Sequence, residues 1–156
     1  MGKTIHEGRQ SVQIDGDFIV FIIGARLGLR GLRAVRLLST MRKMLKEVEE
    51  NPEIGLLGFH QHGGPFGVIV QYWRSFDDLE RYSRSMERLH RPVWLDWYRR
   101  KQDKNRHAGI WHETYAVRAG EYEAVYQNMP DIGLMKAGRV FPVGSGSDTA
   151  RTRIGR

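Results

Sequence analysis

The residues best suited to proton transfer are a histidine and a glutamate that stand side by side, His112 and Glu113. They lie in the segment 109–117, where alternating residue types predict a β-strand. Successive side chains of a strand point to opposite faces, so these two cannot form a local acid–base pair. We expect one of them to face a cavity, where burial would move its pKa toward neutrality and suit it to general acid or base catalysis. A buried, hydrogen-bonded His112 with a structural role is the alternative.

His90 is the second candidate, and it stands in the run Leu89-His90-Arg91-Pro92. The sequence predicts that a helix ends here, because proline lacks the N–H that would continue it. A histidine at a helix C-terminus can simply interact with the negative end of the helix dipole. Contact with a substrate or a cofactor is the other role open to it.

Aromatic residues of the third and fourth predicted strands could wall a flat, apolar pocket: Tyr72, Trp73, Trp111 and Tyr115. Packing in the core is the usual role of strand aromatics, and we expect it for two of the four. The hydroxyl of Tyr72 also makes it a catalytic candidate. Arg26, at the end of the first predicted strand, is the cation best placed to hold an anionic group at the pocket mouth.

Several classes of chemistry are excluded or disfavoured by composition and motifs. The chain has no cysteine, which excludes disulfides, thiolate metal sites and a cysteine nucleophile. His60 and His62 would share one strand face, but no third ligand lies at a fixed spacing, so no metal site is predicted. Neither a Gly-x-Ser-x-Gly elbow nor a phosphate-binding glycine loop is present.

Charge and hydropathy narrow the range of partners. The formal net charge of +7 could attract nucleic acid, but no zinc-finger spacing, basic zipper or RNA-binding aromatic signature supports it, so nucleic acid is an unlikely partner. The longest apolar run, 18–23, is far shorter than the roughly 20 residues of a membrane span. We therefore expect a soluble, cytoplasmic protein.

The hydrophobic pattern predicts the elements that position these residues. The first strand is unbroken by polar residues, the helices show apolar spacings of three and four, and Ser75 is placed to cap the second helix. Gly63-Gly64-Pro65 separates the two strands of a hairpin. The predicted strands are 17–25, 54–62, 66–73 and 109–117, and the first helix is 32–50. The order strand, helix, strand, strand, helix, strand is an α+β, ferredoxin-like βαββαβ antiparallel sheet.

The domain organisation expected is one domain over residues 1–143, opened by an N-terminal arm over 1–16. The segment 121–128 is predicted to form one or two helical turns, and 144–156 a flexible basic tail with too little apolar content to pack. Helices cover only one face of such a sheet. A second copy placed face to face would cover the other, so the pattern predicts a homodimer.

Four blocks of the sequence resemble those of a bacterial family described as monooxygenase-like or phenylacetaldoxime-dehydratase-like. The most specific is Trp111-His112-Glu113-Thr114-Tyr115, and the others are 17–24, 70–81 and 121–134. The resemblance spans residues 10–142 and implies the dimeric α/β-barrel superfamily. That superfamily includes cofactor-free quinone-forming monooxygenases, haem-degrading monooxygenases, haem-dependent aldoxime dehydratases, dye-decolourising peroxidases and non-catalytic binders, so the fold does not settle the function.

The resemblance also implies roles for His90. In haem-degrading relatives a histidine near this point of the equivalent helix is the proximal ligand of haem, and neutral imidazole suits iron. In cofactor-free relatives a histidine here lines the substrate cavity instead. Both roles remain open for His90.

The function we predict is a monooxygenase-like enzyme without a cofactor, oxidising a small aromatic or polycyclic substrate in an apolar barrel pocket. Tyr72, His90 and His112 would be its polar groups. Without iron or flavin, the substrate itself must form a stabilised carbanion to react with dioxygen, which favours phenol-like molecules. The alternatives are a haem-binding protein with His90 as the axial ligand, either aldoxime dehydratase-like or haem-degrading, and a non-catalytic binder of a small ligand.

Overall fold

A computed structural model describes residues 4–27, 32–63, 67–99 and 108–155. Within these ranges the strands are β1 (Ile5–Gln13), β2 (Phe18–Leu27), β3 (Leu56–His62), β4 (Val68–Trp73), β5 (Ala108–Val117), β6 (Tyr126–Pro130) and β7 (Arg139–Pro142). The helices are α1 (Leu32–Glu49), α2 (Phe76–Arg84), α3 (His90–Arg99) and α4 (Ala150–Arg153). Two short 3-10 turns occupy Pro52–Ile54 and Gly133–Lys136. None of the described helices combines the length and apolarity that a membrane crossing requires.

The main sheet is antiparallel with strand order β3-β4-β2-β5. Helix α1 connects β2 to β3, and α2 and α3 connect β4 to β5, which is the ferredoxin-like arrangement. The predicted α+β fold class is confirmed. The two hairpin strands also form as predicted, and residues 64 and 65 of the predicted turn lie outside the described ranges.

Helix α2 begins as the sequence predicts, because Ser75 caps it. The Ser75 hydroxyl accepts a hydrogen bond from the Asp78 backbone N–H at 3.1 Å. The Asp78 carboxylate is buried and accepts bonds from Arg74 at 2.8 Å and Arg81 at 2.9 Å. These contacts, above all the bond from Arg74, hold the pKa of Asp78 below its usual range. The cap fixes the residue at which α2 begins.

A second sheet, with strand order β6-β1-β7, packs on the face of the main sheet that the helices leave open. Val12 and Ile14 of β1 are buried there against Phe18 of β2. The predicted N-terminal arm is therefore largely a strand, and the turns predicted over 121–128 are instead irregular chain leading into β6. Pairing with β1 overrides the local helical pattern.

The C-terminal segment also differs from the flexible tail that we predicted. Its Arg153 side chain is only 9% exposed and binds Glu123 at 2.8 Å. Helix α4 carries a capping box between Thr149 and Thr152. Polar contacts rather than apolar burial hold this segment against the domain, which is why its composition gave no indication of order.

Candidate functional site

A cavity of about 520 Å³ lies between the main sheet and its helices. Apolar side chains from both layers form most of its wall: Phe21, Ile23, Met44, Val48, Leu79 and Tyr82. Its size is that of an ordinary small-molecule site. Two residues singled out from the sequence, His90 and His112, also line it. The other polar or charged residues of the lining are Gln71, Glu80, Ser83, Arg84, Arg91 and Thr114.

His90 lies at the start of a helix rather than at the end of one. Helix α2 ends at Arg84, where the following Ser85 turns extended, and α3 then begins at His90. Pro92 sits in the first turn of α3, where its missing N–H costs no helical hydrogen bond. His90 therefore cannot interact with the negative end of a helix dipole in the way that the sequence suggested.

The imidazole of His90 is held in one tautomer. Its Nδ1 lies 3.0 Å from the backbone carbonyl oxygen of Ser83, which can only accept a hydrogen bond. Nδ1 therefore carries the hydrogen, and Nε2 carries the lone pair. Burial lowers the pKa of His90 from its ordinary value of 6.5, opposed only in part by the Ser83 bond. His90 is thus mainly a neutral base at pH 7.

His112 projects into the same cavity from β5. Its ring lies 5.4 Å from that of Phe21, centroid to centroid, and its backbone pairs with Ile23. Its charge contributes to the lowered pKa of His90, so the two rings are electrostatic neighbours. His112 is exposed, which removes the alternative of a buried structural histidine.

Glu113 lies on the opposite face of the sheet from His112, as the alternation predicts. The Tyr115 hydroxyl donates to its carboxylate at 2.7 Å, and this bond raises the pKa of Tyr115. Both side chains are exposed. The structure therefore does not bring Glu113 or Tyr115 to the cavity that holds His90.

Three other sequence candidates also lie away from the cavity. Tyr72 packs in the second core, between the two sheets, where burial raises its pKa to about 12. Trp111 lies on the same face, against Gly24, where any added Cβ would meet the indole at 2.6 Å. Arg26 is exposed at the end of β2, next to Gly109. None of the three contributes to the cavity lining.

Trp73 does line the cavity, and it reveals a residue that we did not single out. The Trp73 side chain is 1% exposed, and its indole Nε1 donates to Gln71 Oε1 at 2.9 Å. Gln71 also lines the cavity. A signal was present, because Gln71 interrupts the otherwise apolar strand face shared with Ile69 and Trp73. A polar residue at such a position requires a partner.

Metal coordination has no support in the described part of the chain, where no three His, Asp or Glu side chains are arranged to hold an ion. The His60 and His62 rings do share a face, 4.2 Å apart between centroids.

The fold and the site together define an α+β ferredoxin-like protein with a ligand-sized cavity on the helix side of its sheet. Residues 18–134 match the family described as Monooxygenase af470-like, and the chain belongs to that family. A curated relative, monooxygenase af470 of Aspergillus fumigatus, is 25% identical over 142 residues. The match covers 84% of this chain and 49% of the relative, so the chain spans about half the length of that protein.

Two solved structures share the fold. A crystal structure of an aldoxime dehydratase in complex with butyraldoxime matches with a TM-score of 0.67 and 18% identity, over 89% of this chain and 42% of that one. A second aldoxime dehydratase structure matches with a TM-score of 0.66 and 18% identity, over 91% and 44%. These likenesses confirm the predicted fold and, with the family match, the resemblance drawn from the sequence.

Proposed function

We propose that the chain is a monooxygenase-type enzyme that oxidises a small aromatic substrate in the helix-side cavity, without a cofactor. The observation that carries the proposal is a neutral histidine, His90, with its tautomer set by Ser83, in the wall of an apolar cavity. Membership of the Monooxygenase af470-like family supports the reaction class. The three-dimensional likeness to aldoxime dehydratases supports the fold alone.

The chemistry assigned to His90 is proton abstraction. Its neutral imidazole accepts the proton of a phenol-like substrate, leaving a delocalised anion whose ring carbon can react with dioxygen. One oxygen atom enters the ring as a quinone carbonyl and the other leaves as water. A phenol and one dioxygen thus become a quinone and one water, and the substrate supplies all four electrons.

The environment of the cavity assists this step. The apolar part of the wall reduces the contact of the anion with water, and a neutral His90 accepts a proton without first losing one. His112 lies near enough to influence His90 electrostatically, and it is the second group that can move a proton. Tyr72, Glu113 and Arg26, which we predicted for this site, have no part in this mechanism because they do not line the cavity.

A haem protein is the second candidate function, and the hydrogen bond between His90 and Ser83 favours it as well. Metal-ligating histidines usually donate their other ring N–H to a carbonyl or carboxylate, as His90 does to Ser83. The residues present suit haem: the neutral imidazole of His90 would hold the iron, the apolar part of the wall would contact the porphyrin, and Arg91 would pair with a carboxylate. When bound, haem would supply iron-centred redox or Lewis-acid chemistry.

A titration with hemin, followed by absorption spectroscopy, separates the two candidates. The matched variants are His90→Ala in the cavity and His62→Ala at the exposed end of β3. A saturable Soret band at one haem per chain, lost in His90→Ala and kept in His62→Ala, would establish the haem protein. A featureless titration would leave the cofactor-free enzyme.

Oxygen uptake with phenols, beginning with 1-naphthol, then tests that enzyme directly. We expect uptake that His90→Ala abolishes and His62→Ala retains. If wild-type protein consumes no oxygen and binds no haem, the chain is instead a binder, and aromatic ligands should only raise its thermal stability.

We also propose a homodimer, although the second sheet, and not a second copy, covers the face on which that prediction was based. The part of the main sheet beyond the second sheet exposes Trp111 by 43% and Tyr115 by 51%. Large aromatic residues exposed on one face of an edge strand are typical of an interface. Light scattering should give about twice the 18.1 kDa of one chain, and Trp111→Glu should halve that mass. A wild-type mass of one chain would contradict the dimer.

A further inference from the structure

We infer that Gln71 is a ligand-binding residue, whose side-chain NH₂ donates a hydrogen bond to an acceptor oxygen or nitrogen of the molecule in the cavity. The inference rests on the proposed function in one respect, namely that the helix-side cavity is the ligand site. It adds the chemical class of the ligand, which must carry an acceptor in addition to its apolar body.

The orientation of the Gln71 amide follows from its partner. The indole N–H of Trp73 can only donate, so the amide oxygen and not the amide nitrogen must face it. Trp73 is 1% exposed and packs against Tyr82 at 5.8 Å between centroids, so it cannot swing away. A flipped amide would set two donors against each other. The NH₂ group is therefore the part of Gln71 left for another partner.

That NH₂ group has no hydrogen-bond partner among the described residues, although Gln71 is only 9% exposed. Every fully enclosed side-chain nitrogen or oxygen in the same part of the chain does have one. The Gln71 nitrogen must therefore be reachable, and the space it borders is the cavity that Gln71 lines. A ligand that closes over this nitrogen must offer it an acceptor, because a donor buried without a partner is costly.

The position of Gln71 gives the ligand a direction. Phe21 of β2 pairs with Gln71 on one side and with Thr114 of β5 on the other, so the three form one row across the cavity floor. Gln71 lies at the buried end of this row, beside Trp73, and Thr114 lies at the exposed edge, next to His112. The acceptor atom of the ligand thus binds at the buried end of the cavity, beside Gln71, and the rest of the ligand extends toward Thr114.

The acceptors that suit an amide donor of this kind are a ketone, a phenol or phenolate, and an oxime. For the oxidation proposed above, the NH₂ of Gln71 would stabilise negative charge as it develops on the phenolic oxygen, since the donor is already in place before the reaction. Gln71 would then set both the orientation and the acidity of the substrate.

The test is a binding measurement with two probes of the same shape, 2-acetylnaphthalene and 2-isopropenylnaphthalene. They differ only in a carbonyl oxygen that replaces a CH₂ group. We expect the wild-type protein to prefer the ketone, by a ratio of dissociation constants about three- to tenfold larger than in Gln71→Met. Gln71→Glu keeps an oxygen for Trp73 but presents an oxygen in place of the donor, so it should lose the preference too. Gln61→Met, at the exposed end of β3, is the control and should keep the preference for the ketone.

Infrared spectroscopy of the ketone bound to wild-type protein needs no variant, and it should show the carbonyl stretch shifted to lower frequency. Equal binding of both probes by wild-type protein, or an unshifted carbonyl, would overturn the role of Gln71 while leaving the cavity as a ligand site. Binding of neither probe would overturn the ligand cavity itself, and the role of Gln71 with it.

Discussion

The two faces of the main sheet use polar side chains in different ways. On the face covered by the second sheet, tyrosine hydroxyls bind the backbone of neighbouring segments: Tyr126 accepts from the Leu134 N–H at 3.0 Å, and Tyr122 binds Ile14. On the helix side, Gln71 uses its amide oxygen on Trp73 and presents its NH₂ group to a cavity, and His90 lines the same cavity with its ring held by Ser83. The comparison separates polar groups that stabilise the fold from those suited to a ligand.

The largest effect on stability is expected on the covered face. Phe18 is 2% exposed and packs edge-on against Tyr122, so Phe18→Ala should lower the free energy of unfolding by about 3 to 5 kcal/mol. Chemical denaturation measures it, and the exposed Val125→Ala serves as the control. A loss under about 1 kcal/mol would show that the two sheets are not packed as described.

Removal of the neutral base should affect activity far more than stability. We expect His90→Ala to reduce oxygen uptake with a phenol by about a hundredfold or more, because a positioned general base contributes at least that much. Its denaturation midpoint should change less than that of Phe18→Ala. Full activity in His90→Ala would remove His90 from the chemistry.

The face covered by the second sheet can also be tested by removing one hydrogen bond, the bond to the Tyr126 hydroxyl. Tyr126→Phe leaves the Leu134 N–H without its acceptor, and we expect a loss of about 1 kcal/mol in the free energy of unfolding. Binding of 2-acetylnaphthalene should be unchanged. A fall in ligand affinity without a loss of stability would contradict the division between the two faces.

The smallest effect is the pH dependence that His90 gives to folding. Its pKa is lowered in the folded protein, so the unfolded chain binds the proton more tightly. The stabilisation is complete above the unfolded value of 6.5 and is lost as the pH falls from there toward the lower folded pKa. Urea unfolding from pH 7.5 to 5 should therefore show a steeper decline for wild-type protein than for His90→Ala. Parallel curves would show that His90 is not buried as described.

The ferredoxin-like order could be predicted from the sequence because its signals are local. The apolar run that begins at Phe18, the helical spacing that follows it and the cap at Ser75 each act within a few residues. The second sheet could not be predicted, since β1 is largely polar and pairs with β6 more than 100 residues away. Such pairing depends on tertiary contacts rather than on local preference.

The same limit holds for the candidate site. Strand alternation correctly predicted that His112 and Glu113 face opposite ways, but it could not tell which side holds the cavity. It left Tyr72 and Trp73 equally plausible for the same reason. The tautomer of His90 depends on the carbonyl of Ser83, seven residues earlier, and becomes visible only once the chain has turned between α2 and α3.

The structure of β5 affects how ligand binding should depend on association in solution, because two consecutive residues of this strand lie on its opposite faces. His112 faces the cavity while Trp111 is exposed on the other side, and a single backbone strand carries both. Where a second copy covers Trp111, as proposed, any shift of β5 on association would also move His112 and so link association to ligand binding. Each then changes the other by the same factor. The apparent affinity for a cavity ligand should accordingly vary with the concentration of the protein itself.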